Sequence, residues 1–401
     1  MNENDLIPLR LGKGEDRRLR AGHLWVFSNE VDVRATPLQG FQPGQPVAIE
    51  TAHGQWVGSG YVNPNALLCA RLVSRDREHP LGRSLLVHRL RIALGLRERL
   101  YPNPFYRLVF GESDGLPGLV VDRYGDVLAV QISTAGMERL KDDILAALEK
   151  VLKPQAIVWR NDSPLRTLEG LPLYREVAMG QPPEWIELPE GAARFLVSPL
   201  MGQKTGWFYD QADNRARLAR YCRGKRVLDV FCYLGAWGIQ AALAGASEVW
   251  CLDSSQTALE QVTRHAVQNG VAERLKTLPG DAFDNLKALH SARERFDILI
   301  RDPPAFIKRR KDTEAGFEAY RRINQLGLQL LNSDGLLVTS SCSFHLGQTD
   351  FLGLIQQAAR HLDRSLQRLE VGQQGPDHPV HPAIAETSYL KTLFLRTLFS
   401  F

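Results

Sequence analysis

From about residue 200 onward, short apolar runs alternate regularly with longer segments of helical periodicity. The apolar runs are K-R-V-L-D-V-F, S-E-V-W-C-L-D, L-K-T-L-P-G-D, F-D-I-L-I-R-D and G-L-L-V-T-S-S-C, followed near the end by S-L-Q-R-L-E-V and T-L-F-L-R-T-L. Parallel strands need a crossover helix between them, so this alternation predicts an α/β fold with a mostly parallel, doubly wound sheet. The loops that follow these strands are then the places to look for chemistry.

Two of the runs end in residues with reactive side chains. Cys342 follows one strand, and Asp302-Pro303-Pro304 follows another. Open α/β sheets bind their ligands at the carboxyl ends of the strands. A thiol and a carboxylate at this edge predict covalent catalysis on a planar electrophile. Cys342 is the predicted nucleophile, and Asp302 is predicted to hydrogen-bond the planar substrate. The alternative is that Cys342 is a buried, inert thiol, as most free cysteines are.

The ends of the first three strands indicate a nucleoside site. The loop D-V-F-C-Y-L-G-A-W-G brings Gly235 to the start of a helix, but it lacks the G-x-G-x-x-G arrangement of dinucleotide sites. Asp253 is placed to accept hydrogen bonds from ribose hydroxyls, and Asp281 to accept one from an adenine amine. Each acid alone is equally well explained as a helix cap or a solvated carboxylate. Together they predict a nucleoside that carries an amino acid and no pyrophosphate, which describes S-adenosylmethionine.

The amino-terminal part has a different residue pattern. Residues 1–75 hold short β-type runs separated by Gly and Pro, and predict a small β-rich module. Basic residues in the stretch from Arg10 to Arg20 precede an aromatic pair, so cations and rings suited to RNA occur together; the candidates are Arg17, Arg18, Arg20 and Trp25. The alternative is a solvated loop beside core aromatics. Residues 76–190 combine a basic helix with strands and predict a compact α+β domain without catalytic residues.

Composition restricts the class of protein. The 401 residues carry a formal net charge of +4, which fits a polyanionic partner without requiring one. The cysteines are widely spaced and form neither a disulfide framework nor a zinc motif, so we expect a reducing compartment and no metal. The amino terminus has no signal-peptide pattern and no long apolar run occurs, so a cytoplasmic location without membrane contact is expected.

The chain resembles a known family, the S-adenosylmethionine-dependent ribosomal RNA large subunit methyltransferases of the methyltransferase I type. The resemblance rests on R-R-L-R-A-G-H-L-W-V-F-S, F-G-E-S-D-G-L-P-G-L-V-V-D-R-Y and Q-K-T-G-W-F-Y-D-Q-A-D-N-R, together with Asp302-Pro303-Pro304 and Ser341-Cys342-Ser343. These motifs span essentially the whole chain. The resemblance implies a PUA-like RNA-binding domain over 1–75, a central α+β domain over 76–190 and a Rossmann-like class I methyltransferase domain over 191–401.

The same resemblance implies an activity and a set of site residues. The reaction would be methyl transfer from S-adenosylmethionine to carbon 5 of a cytosine in 23S rRNA, or in a large-subunit precursor, with Cys342 as the nucleophile. The expected cofactor-site residues are Asp229, Phe231, Tyr233, Gly235, Asp253, Asp281 and Asp302. Two-cysteine RNA cytosine methyltransferases carry a second cysteine after the Pro of the corresponding motif. Pro304 and Ala305 stand there in this chain, so the group that releases Cys342 is left open.

Further candidates surround the predicted site. A basic run close to Asp302 begins with Lys308, Arg309 and Arg310. It is interpreted either as a site of phosphate contact or as a solvated surface. His345 follows Cys342 closely and is either a group that lowers its pKa or an ordinary loop histidine. The rival functions are methylation of an exocyclic base nitrogen, since Asp-Pro-Pro precedes Phe306, and an RNA-binding assembly factor without turnover. The oligomeric state stays open, with a homodimer as one alternative.

Overall fold

The computed structural model describes residues 6–399 of the chain. These form two compact units. The first holds the residues up to Ile186 together with Val197–Tyr209 and Pro376–Thr387, and the second holds Glu187–Leu196, Asp210–Gly375 and the residues from Ser388 onward. Each unit therefore contains segments that are far apart in the sequence.

The first unit begins with a five-stranded sheet in the order β1-β3-β4-β5-β2. Its elements are β1 (Ile7–Arg10), α1 (Asp16–Arg20), β2 (Trp25–Val26), β3 (Gln45–Glu50), β4 (Trp56–Val62) and β5 (Ala70–Ser74). Strands β1 and β3 are parallel, and the other pairs are antiparallel. Leu9, Val47, Ile49 and Leu72 are buried together in a common apolar core. The β-rich module predicted from the Gly- and Pro-separated runs is present.

A second five-stranded sheet, in the order β10-β9-β8-β7-β6, follows in the same unit. Its elements are α2 (Arg83–Leu100), β6 (Phe105–Phe110), β7 (Leu119–Tyr124), β8 (Val127–Ile132), α3 (Ala135–Glu138), α4 (Lys141–Leu152), β9 (Ala156–Asn161) and β10 (Tyr174–Gly180). Helix α4 packs through Ile144 and Leu148, with Leu140 and Leu152 at the edge of the same core. The four-residue spacing of these residues is that of one helix face.

The second unit is built on a seven-stranded sheet in the order β15-β14-β13-β16-β17-β19-β18. After the hairpin β11 (Ile186–Glu190) and β12 (Ala193–Val197), its elements are α5 (Ala212–Leu218), β13 (Arg226–Val230), α6 (Ala236–Leu243), β14 (Glu248–Asp253), α7 (Gln256–Gln268), β15 (Leu275–Pro279), α8 (Ala282–Ser291), β16 (Phe296–Arg301), α9 (Thr313–Leu330), β17 (Leu331–Ser341), α10 (Gln348–Arg360), β18 (Arg364–Gly372) and β19 (Lys391–Phe399). Strands β13 to β17 pair in parallel, whereas β19 pairs antiparallel with both β17 and β18. The prediction of a mostly parallel, doubly wound sheet is confirmed.

The strand order of the seven-stranded sheet predicts where a ligand would bind. The chain leaves β13 towards β14 on one side, and later returns to β16 on the other side. Such a reversal opens a crevice between the loops at the carboxyl ends of the strands, because the two connections diverge there. The backbone amide of Asp302 donates to the Val230 carbonyl, which fixes the end of β16 beside the end of β13.

The three-part division at residues 75 and 190 remains a prediction. Both five-stranded sheets of the first unit lie within the predicted parts 1–75 and 76–190. The same unit also contains Val197–Tyr209 and Pro376–Thr387. Within residues 6–399, the structure has no helix both long enough and apolar enough to cross a membrane.

Candidate active site

The loop after β13 has an unusual backbone. Phe231, Tyr233 and Gly235 have φ angles of 65°, 49° and 78°, in the left-handed region that residues with a side chain seldom adopt. Two non-glycine residues in this region within one short loop indicate stored strain, which is concentrated at functional sites. The Cys232 amide donates to the Leu252 carbonyl, and the Gly235 amide donates to the Cys232 carbonyl. The surrounding sheet therefore holds the loop in place before α6 begins.

Asp253, at the end of β14, ties this loop to the next one. One carboxylate oxygen accepts the Tyr233 amide at 2.9 Å, and the other accepts the Ser255 amide at 2.9 Å. Each carboxylate oxygen has a second lone pair, so hydrogen bonds from a diol are still available to this side chain. Asp253 is partly buried at the strand end where the sequence predicts a ribose contact.

Asp229 is a fully buried carboxylate near the end of β13. Its Oδ2 accepts the Gly238 amide at 3.0 Å, whereas its Oδ1 has no hydrogen-bond partner within residues 6–399. Burial, followed by the charges of Asp302 and Asp253, raises its pKa to about 8, against the opposing effect of the Gly238 hydrogen bond. A buried acceptor without a donor fits the ammonium group of an amino-acid ligand, which would relieve both the lost hydrogen bond and the unfavourable charge.

Asp281 follows β15 and caps α8. Its Oδ1 accepts the amides of Phe283 and Asp284, at 2.8 Å and 3.1 Å. The side chain is exposed. The helix-capping alternative raised by the sequence is thus realised, and an adenine contact through the remaining acceptor capacity stays a prediction.

Asp302 follows β16 and is held by two donors. Gln211 Nε2 donates to Oδ1 at 2.9 Å, and Trp237 Nε1 donates to Oδ2 at 3.3 Å. Burial and then the charge of Asp210 raise the pKa of Asp302 to about 6, although both hydrogen bonds favour the ionised form. The result is an oriented carboxyl group whose pKa is raised towards neutral pH.

Cys342 follows β17, the neighbour of β16. Its Sγ lies 4.0 Å from the Pro303 carbonyl oxygen, so the predicted nucleophile is next to the Asp302-Pro303-Pro304 segment. Cys342 is partly exposed, whereas Cys69, Cys222, Cys232 and Cys251 are buried. Burial raises the pKa values of Cys69 and Cys222 to about 12, so these two thiols are poor nucleophiles. His345 is exposed, and its ring contacts Phe344.

The sequence interpretation did not identify three side chains beside these groups. Gln211 and Trp237 orient Asp302, and Lys391 donates to the carbonyl of Ser343, next to Cys342. Gln211 lies in the motif Q-K-T-G-W-F-Y-D-Q-A-D-N-R, which could have drawn attention to it. Lys391 occurs at the start of an apolar strand without any motif.

The residues predicted to bind RNA differ in their surroundings. Arg17 and Arg20 reach the surface, but Arg18 donates to both carboxylate oxygens of Glu30 at 2.7 Å and to the Trp25 carbonyl. Trp25 is partly buried and donates through Nε1 to Glu112 at 2.9 Å. Arg18 and Trp25 thus already donate hydrogen bonds within the protein, and their contact with RNA stays a prediction.

The basic run after Phe306 is on the surface. Lys308, Arg309 and Arg310 are all exposed. Arg309 pairs with Asp312 at 3.1 Å. The run is accessible to a phosphate backbone, and phosphate contact there stays a prediction.

Comparison with known proteins agrees with the fold. A PUA-like domain model matches residues 9–75, and a model of S-adenosylmethionine-dependent methyltransferases matches residues 173–396. The protein is thus an S-adenosylmethionine-dependent methyltransferase in class, and its cofactor is S-adenosylmethionine. Proteins named ribosomal RNA large subunit methyltransferase I are 34% identical in Erwinia tasmaniensis, over 98% of this chain and 100% of the relative, and 36% identical in Aeromonas hydrophila, over 96% and 98%. The chain belongs to this family.

Solved structures share the fold at low sequence identity. A protein described as an S-adenosylmethionine-dependent methyltransferase from Streptococcus mutans matches with a TM-score of 0.83 at 20% identity, covering 98% of this chain and 100% of that one. The methyltransferase SMU.776, crystallised with SAH, gives a TM-score of 0.84 at 21% identity over the same shares. These solved structures therefore share the fold of this chain.

Proposed function

We propose that the protein methylates carbon 5 of a cytosine in large-subunit rRNA, through a covalent adduct with Cys342. The observation that carries the proposal is the position of the Cys342 Sγ against the Pro303 carbonyl, one residue from Asp302. The names of the relatives support an rRNA substrate. Such a substrate would place the activity in the cytoplasm.

The chemistry explains the pairing of a thiol with a carboxyl group. Carbon 5 of cytosine is a poor nucleophile until a thiolate adds to carbon 6, which turns the ring into an enamine. In this mechanism the Cys342 sulfur forms the bond to carbon 6, and the displaced π electrons attack the methyl group from carbon 5. Loss of the carbon 5 proton then restores the double bond and expels the thiolate. S-adenosylmethionine supplies an electrophilic methyl group.

Asp302 would hold the base during these steps. Its carboxylate oxygens retain lone pairs beyond the hydrogen bonds from Gln211 and Trp237, so they can accept from the exocyclic amine and from a protonated N3. A carboxylate placed there favours the positively charged adduct. The ionised form is required, which is the majority form above pH 6 given the raised pKa of about 6.

The cofactor site would use residues at the ends of β13 and β14. Asp253 would accept from the ribose, the Oδ1 of Asp229 would accept from the amino group, and Phe231, Tyr233 and Gly235 would shape the loop around the ligand. The partly buried Phe231 and Tyr233 offer apolar surface to the adenosine. Asp281 is proposed to contact the adenine amine from the cap of α8.

For the RNA, we propose that the PUA-like module and the run Lys308 to Arg310 contact phosphate. Arg17 and Arg20 are the surface candidates in the module. Phosphate contacts position a nucleic acid without reading its sequence, and the target base must still be turned out into the pocket.

The decisive experiment combines label transfer with adduct trapping. The protein is incubated with methyl-labelled S-adenosylmethionine and 23S rRNA, and the labelled nucleoside is identified; 5-methylcytidine is expected. RNA containing 5-fluorocytosine should form a stable adduct, since the carbon 5 position then has no proton to lose. Cys342→Ser should abolish both transfer and adduct while keeping cofactor affinity. A methylated exocyclic nitrogen, or transfer by Cys342→Ser, would exclude the covalent mechanism.

A further inference from the structure

Lys391 is brought to Cys342 by the register of two strands. Strands β17 and β19 are antiparallel, and Lys391 pairs with Ser341, the residue before Cys342. Lys391 begins β19 just where β17 ends, so its side chain belongs to the same edge of the sheet as the thiol. This pairing joins segments separated by about 50 residues of sequence, and it depends on the antiparallel addition of β19 to an otherwise parallel sheet.

The amino group of Lys391 has a fixed position. Only 9% of Lys391 is exposed, and its Nζ donates to the Ser343 carbonyl at 2.7 Å. Ser343 is itself anchored, because its Oγ accepts the Ile307 amide at 3.2 Å and lies 3.0 Å from the Tyr320 hydroxyl. Lysine side chains are seldom buried, since holding one in place costs both desolvation and rotamer entropy.

The pKa of Lys391 responds to burial and to Cys342. Burial lowers its pKa to about 8, and the principal opposing influence is Cys342, which raises it. Tyr320, from α9, also responds to Cys342: burial raises the pKa of Tyr320, and the charge of the thiol raises it further, against hydrogen bonds to Ser341 and Ser343. Cys342 thus acts on the pKa values of both Lys391 and Tyr320, and the electrostatic partner of the lysine is the thiol.

We propose that Lys391 is a positioning residue that activates Cys342, accepting the thiol proton and then holding the thiolate beside its ammonium group. The inference rests on the proposed function, since it assigns a partner to the nucleophile of that reaction. The bond between sulfur and hydrogen breaks, the proton moves to Nζ, and the electron pair stays on sulfur. No net charge enters the site, because a neutral thiol and amine become a thiolate and an ammonium. The hydrogen bond to Ser343 keeps Nζ beside the thiolate until sulfur attacks carbon 6.

The proton transfer suits both groups. A cysteine next to a cation becomes a thiolate at lower pH, and a lysine desolvated by burial gives up or takes a proton near neutral pH. The pair titrates jointly, so a measurement on the thiol reports the coupled system and not one side chain. The unchanged total charge also explains how a lysine can lie at this buried edge with a thiol, and not a carboxylate, as its electrostatic partner.

The test uses the full-length protein without RNA or cofactor. The rate of alkylation by iodoacetamide is measured from about pH 5 to pH 10, and the rate of Cys342→Ser is subtracted to isolate the Cys342 signal. The midpoint of the wild-type protein should lie below the ordinary thiol value of about 8.5. Lys391→Met should raise the midpoint by about one pH unit, which corresponds to a roughly tenfold slower reaction at pH 7. Lys391→Arg should raise the midpoint less than Lys391→Met does, because arginine keeps a positive charge beside the thiolate but cannot accept the thiol proton.

A matched control is Lys276→Met. Lys276 lies in β15 of the same sheet, but it is exposed and pairs with Glu248 at 2.6 Å. This change should leave the Cys342 midpoint unaltered. If Lys391→Met does not fold, the midpoint is measured in the wild-type protein from the thiolate absorbance near 240 nm, after subtraction of the absorbance of Cys342→Ser. That midpoint alone can still overturn the proposal. A wild-type midpoint at or above about 8.5, or equal midpoints in wild type and Lys391→Met, would overturn the proposal.

The outcome is independent of the outcome for the proposed function. If the midpoint is low and depends on Lys391, but 5-fluorocytosine RNA forms no adduct, the activated thiol stands and the cytosine reaction fails. If the adduct forms while the midpoint is unaffected by Lys391→Met, the nucleophile stands and the role of Lys391 fails.

Discussion

The indole of Trp237 donates a hydrogen bond to Oδ2 of Asp302 at 3.3 Å, from the start of α6 to the end of β16. This hydrogen bond lowers the pKa of the Asp302 carboxyl group, against the larger effect of burial. Asp302 is thereby oriented by Trp237, which belongs to the segment after β13 that the sequence predicts to bind the cofactor. The cofactor loop and the proposed base pocket are consequently linked through one side chain.

Trp237→Phe should move the acidic limb of the pH profile to higher pH. The change removes the donor that favours the ionised carboxylate, so the pKa of Asp302 rises above about 6. The limb is measured in kcat/KM, which reports groups of the free enzyme. Trp250→Phe, at a partly buried indole in β14, is the matched control and should leave the limb in place. An unmoved limb in Trp237→Phe would show that Asp302 does not limit the reaction on the acidic side.

Asp229→Asn should stabilise the protein increasingly as pH rises. The folded-state pKa of about 8 exceeds the ordinary value of 3.8, so the folded protein binds this proton more tightly. The stabilisation that the protonated carboxyl provides is full at low pH and is lost as pH rises from about 4 to about 8. Asparagine avoids this loss, so the gain in the free energy of unfolding should grow by up to about 1.4 kcal/mol for each pH unit.

Urea unfolding at pH 5 and pH 7 measures the effect. Asp284→Asn is the control, since its carboxylate is exposed on α8. The control should show nearly the same small change at both pH values. Cofactor affinity should fall in Asp229→Asn despite its greater stability, because an amide cannot carry the charge that attracts an ammonium group. A stability gain that is flat with pH would contradict the raised pKa.

Asp253→Ala and Asp281→Ala should separate a ligand contact from a helix cap. Asp253 is expected to make charge-assisted hydrogen bonds worth about 1.5 to 3 kcal/mol, so calorimetry should show cofactor binding weakened by at least about tenfold. Asp281→Ala should mainly remove a cap, at a cost of about 0.5 to 2 kcal/mol in unfolding free energy, with a smaller loss of affinity. Equal losses of affinity would place both carboxylates on the ligand.

Gly238→Ala should destabilise the protein, because the added methyl group has no space. An ideal Cβ at this position lies 2.5 Å from the Cys251 sulfur and 3.3 Å from Asp229 Oδ2. Such overpacking costs about 1 to 3 kcal/mol. Gly353→Ala in α10 is the matched control, since its Cβ would meet no atom within 4 Å and should stabilise the helix by about 0.5 to 1 kcal/mol. Thermal unfolding of the two variants should therefore shift in opposite directions.

Neutralising the surface cations should separate anchoring of RNA from placement of the base. Replacing Arg17 and Arg20 with Gln should weaken rRNA binding and flatten its salt dependence by about one unit of log–log slope for each phosphate that is no longer neutralised. Replacing Lys308 and Arg310 should do the same and also slow methyl transfer at saturating RNA. Arg18→Gln should instead lower stability, since Arg18 bonds to Glu30 inside the module. Unchanged affinity and salt slope in both double variants would leave the cations as solvated surface.

The sequence predicts the architecture of the seven-stranded sheet. Parallel strands buried on both faces need long apolar runs and helical crossovers, and both are legible in the alternation after residue 200. The strand ends also follow from the sequence, because parallel strands bring their carboxyl ends to one edge. For this reason the pattern of residues alone predicts that Asp253, Asp281, Asp302 and Cys342 lie at one edge of the sheet, whereas Asp229 entered only through the family resemblance.

The tertiary structure decided which side chains surround these groups. Gln211 reaches Asp302 across 91 residues, and Lys391 reaches Ser343 across 48 residues, through an antiparallel register that no local pattern records. The tertiary structure also sets the surroundings of Arg18. Its positive charge led to a prediction of RNA binding, but its guanidinium donates to Glu30. The physical reason is the same in each case: a side chain's partners are set by strand register and packing, whereas periodicity and spacing report only which face or strand end a residue occupies.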